Sequence, residues 1–207
     1  MLARLQQGIT LGALALAAAW FAYWWKAGHT GWAIAGALVV LFGYAAVLGV
    51  EFMLLARINR DDPAPPATLR QRLVAWWGEV FSAPAVFCWR QPFRSQRWPD
   101  HLPGDAQGRR GVVLVHGFVC NRGIWNRWMP RLRALDVPHV AVNLEPVFGS
   151  IDDYAPHIDA AVRRLSAATG QPPLLVAHSM GGLAVRAWLR DHDGEARVHG
   201  VVTIGSP

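Results

Sequence analysis

The stretch Leu174-Leu175-Val176-Ala177-His178-Ser179-Met180-Gly181-Gly182 decides how this chain is read. An apolar run gives a buried strand, a serine closes it, and small residues leading into a helical pattern follow at once. That order encodes a sharp strand-to-helix turn with an exposed hydroxyl, a nucleophile elbow. Such a turn brings backbone against backbone and needs small residues on both sides of the serine. Ala177 and Gly181 hold those positions, and alanine for the first glycine of G-x-S-x-G is the mildest departure available. The reading without chemistry is a buried strand, a loop and a helix with a Gly-Gly start.

Outward from the elbow, the chain from Gly111 alternates strand and helix. Residues 112–115 form an apolar strand, 124–135 a helix and 137–144 a second strand. Ser150 with Asp153 forms a capping box that opens a helix to about Thr169, and Gly170 ends it. Residues 174–177 are the strand before the elbow, 180–191 the next helix and 198–204 a further strand. Apolar strands between amphipathic helices predict an α/β fold with a doubly wound parallel sheet, covered on both faces. Ligands gather at the carboxyl ends of such strands. Those ends present Ser179, then His116-Gly117-Phe118, then Gly205-Ser206-Pro207. A serine attacking an ester builds negative charge on the carbonyl oxygen, which two preorganised backbone N–H groups can hold. The N–H groups of Met180 and Phe118 are the natural pair, and their side chains are free to line an acyl pocket. His116 and Gly117, with His178 and Gly181 around the serine, complete the motif.

The segments Leu-Val-His-Gly-Phe (114–118), Ala-His-Ser-Met-Gly-Gly (177–182) and Val-Thr-Ile-Gly-Ser-Pro (202–207) resemble the lipase and esterase branch of the α/β-hydrolase fold. The Ala-x-Ser-x-Gly form is similar to small bacterial triacylglycerol lipases. The resemblance covers about residues 111–207. It implies Ser179 as nucleophile, Phe118 and Met180 as oxyanion-hole donors, and neither metal nor cofactor. In that family the triad runs serine, acid, histidine along the chain. Beyond Ser179 this chain offers only Met180 to Pro207. Asp191, His192 and Asp193 lie at the far end of the helix that Ser179 starts, about 18 Å away, whereas a base must come within roughly 3 Å. His199 enters its strand at the opposite edge of the sheet, His178 should point elsewhere, and His116 reads as a strand-end histidine shaping the oxyanion loop. The expectation is an incomplete catalytic domain that lacks its acid and base, the N-terminal portion of a longer hydrolase.

The N-terminal part is of another kind. Hydrophobic residues make up 53% of the chain and charged residues 16%, and the excess sits before residue 58. Residues 9–25 and 32–50 read as two spans; the second carries no charge and is long enough to cross a bilayer. Trp20, Tyr23, Trp24, Trp25 and Trp32 gather at one headgroup level, around a turn at Lys26–Gly31. Ala15-Leu16-Ala17 resembles a signal-peptide cleavage site, but the aromatic residues after it weigh against cleavage. Arg4 before the hairpin and Arg57, Arg60, Arg70 and Arg72 after it outnumber the single Lys26 in the turn. The positive-inside rule then puts both ends, and the catalytic domain, in the cytoplasm of a bacterial-type inner membrane. Glu51 sits at the edge of the second span, at the interface.

Asp61-Asp62-Pro63-Ala64-Pro65-Pro66 reads as a stiff linker. Thr68 caps a helix to about Phe81 with an apolar stripe. That helix either lies on the membrane or packs on the globular domain. Pro84 interrupts the pattern, and 90–108 reads as loop. The domains are therefore 1–57, a membrane hairpin; 58–110, linker, amphipathic helix and loop; and 111–207, the incomplete hydrolase. The net charge of +6 suits anionic lipid, and no reading motif points to nucleic acid. Cys88 and Cys120 lack metal-like spacing and suit a reducing compartment. Together these predict a membrane-anchored serine hydrolase of carboxylic, lipid-like esters, or a catalytically inactive membrane protein that binds a lipid or a partner. Thioesterases and acyltransferases share the elbow, and the oligomeric state is left open.

Overall fold

The computed structural model describes residues 1–58, 63 and 65–207. Parts of the expected 61–66 linker, and Arg60, lie outside the described residues. The chain divides into two units, one of residues Gln6–Cys88 and one of Met1–Leu5 with Trp89–Pro207.

The first unit is helical. α1 (Leu2–Lys26) and α2 (Thr30–Ile58) are 25 and 29 residues long. Both are apolar and long enough to cross a membrane, and almost none of their surface is buried by protein. The helices extend past the expected spans of 9–25 and 32–50 in both directions. Between them the indole of Trp20 donates to Trp32 O at 2.9 Å. Gly36 lets that indole lie on the backbone, since a Cβ there would fall 1.9 Å from Trp20 Nε1.

α3 (Leu69–Pro84) begins at the expected cap. The Thr68 hydroxyl accepts from Gln71 N–H, and the Gln71 side-chain oxygen in turn accepts from Thr68 N–H at 2.8 Å. α3 runs back alongside α2: Trp76 Nε1 donates to Ala45 O at 2.9 Å, and Tyr44 Oη to Val80 O at 2.6 Å. Pro84 does not end the helical course as the sequence suggested. The missing N–H is absorbed in a π-turn, Ala85–Arg90, that leads into α4 (Gln91–Arg94).

The second unit is an α/β sandwich. Its sheet has four parallel strands, β1 (Val112–Val115), β2 (His139–Ala141), β3 (Leu174–His178) and β4 (Gly200–Ile204), in the order β2-β1-β3-β4. Register follows from Val113 opposite Val140 and Leu175, and Val176 opposite Val202. The strands alternate between two cores, as the two-residue period requires. Val113, Val115, Leu175 and Ala177 pack on α6 (Ala155–Thr169) and α7 (Gly181–Asp191) through Ile158, Leu165 and Trp188. Leu114, Ala141 and Val176 face Trp125 and Met129, from a 3-10 turn (Arg122–Arg127) and α5 (Met129–Ala134). The helix expected over 124–135 is thus split, with Pro130 at the start of α5 and Trp128 N–H bonded back to Trp125 O. β2 is shorter than the expected 137–144, because Asn143 and Leu144 turn aside to bind Arg122 N–H and His116. β4 leaves Val201 and Val202 exposed.

The connection before β1 is pinned by a half-hidden polar cluster. Asp100 accepts from Arg122 at 2.8 Å, from Arg164 at 2.6 Å and from Ala141 N–H at 3.1 Å.

Candidate active site

Ser179 closes β3 with φ +52, a left-handed value that a side chain bearing a Cβ adopts only under constraint. The constraint is local. Ser179 N–H donates to Ile204 O of β4 at 2.9 Å, and Ser179 O accepts from Gly182 N–H at 3.0 Å as α7 begins. The hydroxyl therefore stands at the carboxyl edge of the sheet, where strand passes into helix.

Both glycines after Met180 are required by approach distance. A Cβ on Gly181 would lie 2.5 Å from His116 O and 3.0 Å from Val115 O, and one on Gly182 would lie 2.4 Å from Ser206 Oγ. α7 thus starts against the end of β1. Gly117 answers from the other side: a Cβ there would stand 2.9 Å from Ser179 Cβ and 3.4 Å from Ser179 Oγ. The loop after β1 and the elbow after β3 are in contact, which brings His116, Gly117 and Ser179 together. Val119 in this loop also has a positive φ, +50.

His116 is buried, and both ring nitrogens are engaged. Nε2 accepts Leu144 N–H at 3.0 Å, so it carries no proton; Nδ1–H donates to Gly117 O at 2.9 Å. Burial pushes its pKa down to about 4, so it is neutral at pH 7. A neutral ring spent on two backbone groups orients the loop and does not take a proton from Ser179. His178 shares the strand face of Val176, opposite to that of Ala177. Burial lowers its pKa, and Nδ1 is buried without a partner. The other candidate histidines and carboxylates are engaged with partners of their own. Asp191 binds Arg190 at the far end of α7, His192 lies 3.8 Å from Asp159, and His199 meets Arg110 where β4 begins. Glu145 pairs with the amino group of Met1, Asp152 with Arg190, and Asp153 accepts Ser150 N–H. Among the described residues no hydrogen bond reaches Ser179 Oγ, and no cluster suited to a metal ion is present.

The mouth of the site is apolar. Phe118 and Phe148 are 49% and 65% exposed and meet edge to face, 5.9 Å between centroids. A narrow crevice beneath is lined by Gly117, Leu144, Val147, Tyr154 and Met180 among others. Phe148 was not legible as a site residue; only its place after a strand end hints at it. Gln91 was missed too. Buried in α4, it accepts Asn121 N–H at 2.9 Å and donates to Cys120 Sγ at 3.7 Å, fixing the far side of the loop after β1. Cys120 is buried and its thiol pKa raised, consistent with packing rather than reactivity.

Residues 112–207 match the profile of the alpha/beta hydrolase family. Among solved structures, the chain is similar to Bacillus licheniformis lipase BlEst2 in mature form (22% identity, 53% of this chain and 46% of that one, TM-score 0.47). It is also similar to Aspergillus fumigatus lipase B (19% identity, 51% and 27%, TM-score 0.45). The chain spans less than half the length of either lipase. No curated protein matches it. The segment from Val112 to Pro207, with its parallel sheet and its elbow after β3, is an α/β-hydrolase fold.

Proposed function

We propose that this chain is a membrane-anchored serine hydrolase of carboxylic, lipid-like esters, with Ser179 as nucleophile and the N–H groups of Phe118 and Met180 as the oxyanion hole. The observation that carries the reading is the backbone of Ser179, held at φ +52 between β3 and α7 with Gly117 against its side chain. Met180 N–H opens a helix, where amides lack intrahelical partners and favour negative charge. Attack of Ser179 Oγ on the ester carbonyl forms the Oγ–C bond; the alcohol leaves with a proton, and water then releases the acid. The exposed Phe118–Phe148 pair suits an aliphatic acyl chain. α1 and α2 act as the spans, with both ends on the cytoplasmic side, and no acid and base of a triad stand beside Ser179 among the described residues.

An activity-based fluorophosphonate, applied to the purified full chain in detergent, tests this. Ser179 should be labelled slowly, at the rate that binding and oxyanion contacts alone allow, and Ser179→Ala not at all. Hydrolysis of short-chain p-nitrophenyl esters should stay at the level left by binding and oxyanion contacts, on the order of 10³–10⁴ over water. Silence toward the probe favours an inactive lipid- or partner-binding protein, the reading supported by the engaged nitrogens of His116. Strong Ser179-dependent turnover refutes the missing base.

A further inference from the structure

The first unit holds a feature that the hydrolase reading does not use. Where α3 runs back along α2, the two helices leave a crease of two adjoining cavities, about 340 and 350 Å³, that share Phe52 and Arg72. Its walls are almost wholly apolar and largely exposed, with Met53, Leu69 and Leu73 along one side. Arg72 is the cation common to both cavities, and its Nε is buried without a hydrogen-bond partner. A guanidinium N–H removed from water and left unpaired is costly, and an anion would relieve it. The ligand that matches is apolar along its length and anionic at one end.

The position of the crease says where such a ligand comes from. At 1.5 Å per residue the 29 residues of α2 extend about 43 Å, against about 30 Å of bilayer hydrocarbon. The last turns of α2, Phe52 to Ile58, therefore reach the headgroup layer when the helix spans. Arg72 sits beside those turns, its apolar stem free to lie along the crease and its charge at phosphate level. We propose that the crease between the C-terminal turns of α2 and the first half of α3 binds an anionic phospholipid of the bilayer. Its phosphate pairs with Arg72, and an acyl chain lies along Phe52, Met53, Leu69 and Leu73. The site rests on the membrane-spanning part of the function proposed above and not on Ser179.

Vesicles of phosphatidylcholine, with and without phosphatidylglycerol, test it with the full chain. An alkaline carbonate wash first reports whether the protein stays in the bilayer, which decides the spanning reading by itself. Native mass spectrometry of the retained protein then reads bound lipid. Phosphatidylglycerol should be preferred by on the order of fivefold, one cation's worth at a membrane surface. Arg72→Gln should lose that preference. Arg70→Gln, the same charge change on a residue lining neither cavity of the crease, should keep it, and excess inorganic phosphate should not displace the lipid. Equal binding of the two lipids by a washed, bilayer-resident protein overturns the site. So does equal loss in both variants, which marks diffuse charge attraction, or displacement by phosphate, which marks a bare anion site.

Discussion

Gly181→Ala probes the contact between the start of α7 and the end of β1, on which the proposed oxyanion hole depends. The added Cβ would stand 2.5 Å from His116 O and 3.0 Å from Val115 O, while carbon–oxygen contacts settle at about 3.3 Å or more. The start of α7 and the end of β1 must therefore part by about 0.8 Å. Neither side is the end of a flexible side chain: β1 is bonded on both edges, to β2 and β3, and α7 is anchored through Trp188 in the core. The strain should cost about 1–3 kcal/mol of stability. The larger effect is on geometry, because the group pushed away carries Gly117 and Phe118. Misplacement of about 1 Å costs on the order of 10²-fold in rate. The assay is the second-order rate of fluorophosphonate labelling of Ser179, measured where circular dichroism shows both proteins folded. Gly78→Ala is the matched control, since a Cβ there meets nothing within 4 Å. A folded Gly181→Ala protein that labels at the unmodified rate would refute the claim that this close approach sets the donors.

Two further predictions concern stability. His116 has a folded pKa of about 4 against 6.5 in the unfolded chain, so between those values the unfolded state holds more protons. Its stabilising contribution is complete above pH 6.5 and is lost as pH falls through 4, amounting to about 2 kcal/mol lost at pH 5. Thermal unfolding followed from pH 7.5 to 4.5 should fall with pH, and His116→Asn should flatten the slope; an unchanged slope contradicts the burial argument. Asp100 and Arg122 are 11% and 10% exposed, so Asp100→Asn leaves a buried guanidinium without its counter-ion and should cost about 3 kcal/mol or more. Arg164 is 57% exposed, so Arg164→Gln should cost less than about 1 kcal/mol. Denaturant midpoints of the two variants read the difference, and equal losses would mean that burial does not set the worth of these pairs.

The sequence spoke clearly where the physics is local. Val112–Val115 and Leu174–Ala177 are apolar runs whose strand character needs no partner to be seen, and Thr68 caps a helix through a residue three positions on. The elbow is legible in its own residues, since Ala177, Gly181 and Gly182 stand within three positions of Ser179, although the groups that crowd the two glycines, His116 O, Val115 O and the Ser206 side chain, come from elsewhere in the chain. What stayed hidden depends on groups far apart in the chain. Nothing around Gln91 announces that it will bind the backbone of Asn121, so Gln91–Arg94, within the 90–108 that reads as loop, is instead helical and partly buried. Likewise the Asp100–Arg122 pair joins two segments that each look like solvated loop. His116 is the instructive middle case. Its place at a strand end was visible, yet only the bond from Leu144 N–H shows that Nε2 is already taken. A histidine at the end of the strand next to the serine's is a candidate base by position alone. It ceases to be one once both nitrogens are counted, and then its task is to hold the loop after β1, whose Gly117 lies against the serine.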